Sequence, residues 1–168
     1  HGYREVGQEY LQNVLDTAKQ LDAYDSGRIY YYLGEYQKAY LALDEARDKG
    51  GADSYLYLGR AYAATGDYNY ASSVYNNYLS KQGPNAEIYN ELGLCEMAKK
   101  EYQNALAAFQ AGKQIEGNSL MQTLCFNEIV AYEYLEDYQQ AEILMNAYLQ
   151  NYPDDQTAIR EQQFLSTR

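Results

Sequence analysis

The sequence predicts an all-α chain of tandem helix-turn-helix hairpins. Three observations lead there: four short motifs that recur along the chain, offsets of three and four between their apolar residues, and only two prolines in 168 residues. The motifs are LGEYQKA, TGDYNYA, KKEYQNA and LEDYQQA. Their tyrosines, Tyr36, Tyr68, Tyr102 and Tyr138, follow one another at 32, 34 and 36 residues. A period of this length marks a repeat architecture built from one supersecondary unit.

Each motif tyrosine belongs to the second helix of a unit. Alanine stands three residues on, as Ala39, Ala71, Ala105 and Ala141, and four further come Leu43, Tyr75, Phe109 and Met145. Three more bring Ala46, Tyr78, Gly112 and Tyr148. These offsets place the set on one helical face. Upstream of each tyrosine lies a first helix, and the pair between the two helices (GE, GD, KE or ED) reads as a tight turn. In the first three units the first helix carries Gly27, Gly59 and Gly93, and in three of the four units, the first, second and fourth, Tyr30, Tyr62 and Tyr132 stand at a fixed distance before the turn. A glycine on one helix facing an alanine on the next lets the backbones approach closely, so each unit is expected to be an antiparallel hairpin.

Both ends fit partial units. Tyr3-x-x-Val6-x-x-x-Tyr10 mimics a second helix, with Tyr3 standing 33 residues before Tyr36. At the other end PDDQTAIREQQFLSTR supplies a proline break, an acidic first turn and a final helix with Ile159 and Phe164. Two readings of the ends stand: natural caps over apolar end faces, or excision from a longer array. The first is preferred for the C-terminal helix and the second for the N-terminus, where His1-Gly2 falls at a turn position. The expected layout is one domain over residues 1–168: a leading helix or half repeat at 1–18, four repeats at 19–51, 52–85, 86–121 and 122–154, and a trailing helix at 155–168.

Tyr55-x-x-Leu58-Gly59-x-x-Tyr62, followed by Gly66-Asp67-Tyr68-x-x-Ala71-x-x-x-Tyr75, resembles the tetratricopeptide repeat, whose period is about 34 residues. Tyr89-x-x-Leu92-Gly93 with Tyr102-x-x-Ala105-x-x-x-Phe109 is nearly as good a match. The first unit has Ala23 at the early aromatic position but keeps Gly27, Tyr30, Gly34, Tyr36 and Ala39. The fourth departs most, with Cys125, Glu128 and Ile129 where the family favours an aromatic, leucine and glycine; its first helix is expected farther from its partner. The resemblance covers essentially the whole chain. It implies a right-handed superhelical solenoid whose concave side is lined mostly by the first helix of each unit.

Composition narrows the function. Thirteen Lys and Arg against twenty-four Asp and Glu give a formal net charge of -11, and counterion release on nucleic acid needs clustered positive charge. Nucleic acid and anionic membrane surfaces are disfavoured as partners, and no apolar run approaches the roughly 20 residues that span a bilayer. Twenty-two tyrosines, three phenylalanines and no tryptophan suit thin layers with wet edges, because tyrosine buries a ring and keeps a hydroxyl.

Catalytic constellations are missing from the sequence. The single histidine is His1, so neither a Ser-His-Asp nor a Cys-His arrangement is available. Apart from the pair Gly50-Gly51 the glycines stand singly, with no phosphate-binding loop, and the acid pairs Asp44-Glu45, Glu136-Asp137 and Asp154-Asp155 fall in turns or on solvated faces. No cofactor and no metal is expected. Cys95 is seven residues before Tyr102, whereas Cys125 is thirteen before Tyr138. In equivalent helices that offset is roughly 9 Å along the axis, beyond the roughly 7 Å that a disulfide bridges. Two buried free thiols are expected.

Ligand contacts are expected on the first helices, away from the packing face. Tyr24, Arg28, Tyr31 and Arg60 make a basic, tyrosine-rich half of the groove, and Leu94, Met97, Phe126, Val130 and Tyr134 an apolar half. The arginine fork suits carboxylates and phosphates. The expected ligand is a peptide or protein segment with an acidic group at one end and apolar anchors at the other, extended or helical. Two alternatives stand beside this: Arg28 and Arg60 pair with acids such as Asp53 or Glu87, and the apolar half is core beneath the trailing helix. The family's carboxylate clamp for chaperone tails uses Lys and Asn, which Tyr24 with Arg28 does not match. Function is thus expected to be a non-enzymatic interaction scaffold. Self-assembly through helical end faces and a peptide-sensing regulator are the alternatives. The compartment stays open between a bacterial envelope, as an anchored lipoprotein, and the cytoplasm.

Overall fold

The structure is a computed structural model that describes residues 2–18 and 20–168, and side chains from residue 5 onward within those ranges. His1 and the side chain of Tyr3 lie outside the described residues. Among the described residues there are ten α-helices: α1 Gly2–Thr17, α2 Ala23–Leu33, α3 Tyr36–Asp48, α4 Ser54–Ala64, α5 Tyr68–Gln82, α6 Ala86–Ala98, α7 Tyr102–Lys113, α8 Met121–Tyr134, α9 Tyr138–Asn151 and α10 Gln156–Leu165. The helices fall into two compact units that divide between Gln82 and Gly83.

Each motif tyrosine is the first residue of its helix, because the turn before it is the same in all four hairpins. Gly34, Gly66, Lys100 and Glu136 take left-handed φ values of 79°, 84°, 63° and 61°. The next amide then reaches back five residues: Glu35 to Tyr30 at 2.8 Å, Asp67 to Tyr62 at 3.0 Å, Glu101 to Glu96 at 2.9 Å and Asp137 to Tyr132 at 3.0 Å. These bonds satisfy carbonyls that the ending helix leaves open. The following helix is started by Asp67 and Asp137, whose carboxylates accept from the amides of Tyr70 and Gln140.

The second-helix face forms the core of every hairpin. Ala39, Ala71, Ala105 and Ala141 have no exposed surface, and neither have Leu43, Tyr75, Phe109 and Met145. One sequence expectation is corrected here: the first-helix glycines face the large residue, not the alanine. A Cβ on Gly27 would lie 2.5 Å from Leu43 Cγ, and on Gly59 and Gly93 it would lie 2.3 Å from the rings of Tyr75 and Phe109. The glycine makes room for a side chain, and the alanine brings the helices close. In α8 and α9 the corresponding pair is Ile129 with Met145, both buried in one cluster, and the unbranched Met145 faces a first helix that has no glycine.

The ends differ from expectation in their faces. α1 forms, but Val6 and Tyr10 are 66% and 69% exposed, and its half-buried residues are Gln8, Leu11, Val14 and Leu15. The position three after Tyr3 holds valine, where every hairpin has a fully buried alanine, so this helix cannot use that face for close approach. α10 is capped by Asp155, whose side chain accepts from the amides of Thr157 and Ala158, and it buries Ala158 and Leu165 against α9. Ile159 is half-buried and Phe164 exposed, under the Arg168 guanidinium at 4.4 Å.

Both cysteines are free. Cys95 is buried as expected, whereas Cys125 is only half-buried. Among the described residues no helix is long and apolar enough to cross a membrane, and no group of acidic, histidine or cysteine side chains could hold a metal ion.

Candidate functional site

In the first unit the structure brings Tyr24, Arg28, Tyr31 and Arg60 together around a residue the sequence reading did not single out, Tyr57 on α4. Tyr24, Arg28 and Tyr31 share one face of α2 at offsets of four and three. The Tyr57 ring meets Tyr24, Tyr31 and Tyr32 edge-on at 6.2, 5.7 and 5.9 Å. The Arg28 guanidinium lies 5.2 Å from the Tyr24 ring centre and 5.1 Å from that of Tyr57, and Arg60 stands 5.6 Å from Tyr57 on the same ring. Both cations are within the range of cation–π attraction.

Burial works against the Arg28 charge, and a hydrogen bond to the Tyr57 hydroxyl is the first of the contacts that outweigh it. Its Nη1 is 3.7 Å from the Asp25 carboxylate, an exposed and loose pair, of a kind worth about 0–1 kcal/mol. Its Nε is buried with no hydrogen-bond partner. The Tyr32 and Tyr57 hydroxyls share a hydrogen bond at 3.1 Å. Burial raises the Tyr24 pKa, against the pull of Arg28, so its phenol stays a neutral donor. Spacing puts Tyr57 one helical turn before Arg60 on α4, but its meeting with Tyr24 and Tyr31 of α2 is set by packing.

In the second unit the five apolar residues do not form one patch. Leu94 and Tyr134 are 43% and 58% exposed, and the Tyr134 ring stacks on Tyr102 at 5.0 Å. Met97 is half-buried and packs against the cluster around Phe109 and Leu124. Phe126 is half-buried against the cluster that holds Ala158 and Leu165 of α10, edge-on to Tyr148 at 5.7 Å. Val130 is half-buried between them in sequence. Thus Phe126 is partly core beneath the trailing helix, and Leu94 and Tyr134 are surface.

Polar groups missed by the sequence reading lie beside Phe126. Asn127 donates to Asn90 at 2.9 Å, and Asn90 is buried. Asp155 accepts from the Tyr148 hydroxyl at 2.6 Å and from Gln122 at 3.4 Å, and the Tyr148 bond heads the causes that lower its pKa. With Thr123 these groups edge a shallow depression of about 290 Å³. The α7–α8 contact holds a second polar pair, in which Lys113 and Gln110 donate to the buried Glu128 carboxylate, Gln110 at 2.9 Å.

An all-α chain of tandem hairpins with side chains presented from its first helices has the build of a protein-interaction scaffold. A tetratricopeptide-repeat family model matches residues 24–69 and 58–118, more than half of the chain, and the chain belongs to that family. Solved structures share its fold. A thermophilic tetratricopeptide-repeat protein of Thermus thermophilus, TTC0263, superposes with a TM-score of 0.74 at 16% identity, over 99% of this chain and 92% of that one. A double mutant of MamA RS-1 gives 0.74 at 18% identity, over 96% of this chain and 84% of its own. The second tetratricopeptide domain of human RPAP3, in complex with the HSP70 peptide SGPTIEEVD, gives 0.58 at 16% identity, over 66% of this chain and 90% of that domain. No protein of curated function is significantly similar to the chain.

Proposed function

We propose that this chain is a non-enzymatic interaction module and that its first unit holds an acidic group of a peptide or protein segment between Tyr24, Arg28, Tyr31, Tyr57 and Arg60. The observation that carries this reading is Arg28. Its guanidinium is flanked by the Tyr24 and Tyr57 rings, its own-helix pair with Asp25 is loose, and its Nε lacks an acceptor. A carboxylate from a ligand would supply that acceptor with a charge-assisted bond, and the aromatic walls hold the fork at low entropic cost. The RPAP3 domain, with the same fold, holds a peptide rich in acidic residues, which supports peptide recognition as a use of this architecture. In the second unit Leu94 and Tyr134 at the surface, with Met97, Phe126 and Val130 half-buried, offer apolar contacts of their own.

The test uses a fluorescein-labelled library of acidic peptides and the same library with Asp and Glu replaced by Asn and Gln. Acidic members should bind, their amide counterparts should not, and an Arg28→Glu, Arg60→Glu double variant of unchanged helicity should lose at least tenfold in affinity, or about 1.4 kcal/mol. Equal binding by the double variant would remove the basic cluster from recognition. A second reading, self-association, draws on the exposed Val6 and Tyr10 of α1 and on Leu41 and Ile143, 76% and 55% exposed. A mass that rises with concentration in sedimentation, and falls on Val6→Glu with Tyr10→Glu, would establish it.

A further inference from the structure

The fourth hairpin holds a cavity of about 320 Å³ lined by α8 and α9, with Lys113 of α7 at its edge. Its origin is visible in the sequence. The residue four before Gly59 and Gly93 is Tyr55 and Tyr89, and the residue four before Ile129 is Cys125. In α4 and α5, Tyr55 is 5% exposed and meets the Tyr78 ring edge-on at 5.7 Å. In α6 and α7, Tyr89 is placed against Gly112, where an added Cβ would lie 3.2 Å from its own Cβ. In the fourth hairpin the opposing residue is Tyr148, and its ring turns to Phe126 at 5.7 Å and to Tyr152 at 4.8 Å. Its hydroxyl is held there by Asp155. Cys125 thus stands where the two preceding hairpins have a first-helix tyrosine ring, and Cys125, Ile129, Leu144, Tyr148 and Tyr152 line the cavity there.

The cavity also has a polar side. Glu128 is 5% exposed at the position where the preceding hairpins have Leu58 and Leu92. Its carboxylate is paired with Lys113 and accepts from Gln110. A buried ion pair in place of leucine adds little to stability, so packing alone does not account for it. The pair has no net charge, and each carboxylate oxygen can accept a further hydrogen bond.

We propose that this cavity binds a small neutral aryl ligand of the phenol class, its ring against Cys125, Ile129, Leu144 and Tyr148 and its hydroxyl at the Lys113–Glu128 pair. The volume is at the lower end of the roughly 300–1,000 Å³ of small-molecule pockets, which suits one ring and not a peptide segment. A benzoate would bring its charge to Glu128 in a chain of net charge -11. Toluene would leave the ion pair without the added hydrogen bond. This site is separate from the Arg28 cluster and does not depend on the function proposed for it.

Cys125 is its own reporter. The rate of iodoacetamide modification at Cys125 in the folded chain is followed by peptide mass spectrometry, with the buried Cys95 as internal reference. A seven-atom ligand binds with a Kd on the order of a millimolar, and at ten times its Kd phenol should slow Cys125 modification about tenfold. Toluene should protect several-fold less, and benzoate should not protect. Cys125→Tyr restores the ring of the preceding hairpins and should abolish the saturation-transfer signal of phenol, whereas Cys125→Ala should keep it. If Cys125→Tyr does not fold, Leu144→Phe narrows the same space from α9 and leaves the Cys125 readout in place. Unchanged Cys125 modification in phenol, or phenol binding retained in the folded filling variant, would overturn the site. Equal protection by toluene or benzoate would overturn the assignment of a hydroxylated neutral ligand.

Discussion

Glu133 on α8 and Glu161 on α10 make the contact of the trailing helix sensitive to pH. Burial first, then the charge and hydrogen bond of Glu161, push the Glu133 carboxyl up to about 7 from an ordinary 4.5, and its Oε1 is buried without a partner. A folded-state pKa above the unfolded value means that the folded chain holds the proton more tightly. The stability so gained is full below about pH 4.5 and is lost as pH rises through about 7. The shift corresponds to about 3 kcal/mol before screening, and a half-exposed carboxyl retains roughly 1–2 kcal/mol of it. Glu133→Gln cannot ionise, so it escapes the loss. Its Tm by circular dichroism should exceed that of the natural chain by about 2–8 °C at pH 8, taking about 2–4 °C per kcal/mol at this size, and the excess should shrink toward pH 5. Glu161→Gln should reduce the same pH dependence by removing the neighbouring charge. A Tm difference between Glu133→Gln and the natural chain that stays constant from pH 5 to 8 would refute the reasoning.

Two further outcomes follow from the hairpin geometry. Gly59→Ala gains about 1 kcal/mol in helix propensity but drives a Cβ to 2.3 Å from the fully buried Tyr75 ring, so a net loss of about 1–2 kcal/mol is expected. Tyr75→Met should recover part of it in a double-mutant cycle, as Met145 opposite Ile129 suggests. Lys100→Gly places glycine at a φ of 63° and should raise the unfolding free energy by about 1 kcal/mol, seen as a higher urea midpoint at unchanged m; a lower midpoint would count against strain at this turn.

The helical register was legible because the tyrosine, the alanine three on and the large residue seven on answer to a single face, and burial of that face leaves no surface on either core position of any hairpin. What the chain could not disclose is how one face meets another. Spacing along a helix does not tell which residue stands opposite a glycine, so the large residue was not distinguished from the alanine as its partner. The same limit applies at α10, where Ala158 and Leu165, seven apart, are buried, while Ile159 and Phe164, five apart, cannot share a face. Lys100 and Glu136 hid their left-handed turns, because in the first two hairpins a glycine announces that conformation and in the last two nothing does.

The aromatic cluster was half legible for a related reason. Tyr24, Arg28 and Tyr31 follow from spacing on one helix, but their partner Tyr57 comes from the next hairpin and is fixed only by packing. The abundance of tyrosine made such meetings common: Tyr40 stacks on Tyr62 at 4.2 Å and bonds Thr65 through its hydroxyl at 2.6 Å, and burial, then the Asp44 charge, push Tyr62 up to about 12. The Tyr40 and Tyr62 rings close the contact between α3 and α4, with the Tyr40 hydroxyl satisfied at its edge. The group around Tyr57 differs in carrying two guanidinium groups on its rings, and a cation drawn onto an aromatic wall still needs acceptors for its N–H groups. At Arg28 Nε that demand is unmet within the chain, and the acidic ligand proposed above rests on that observation.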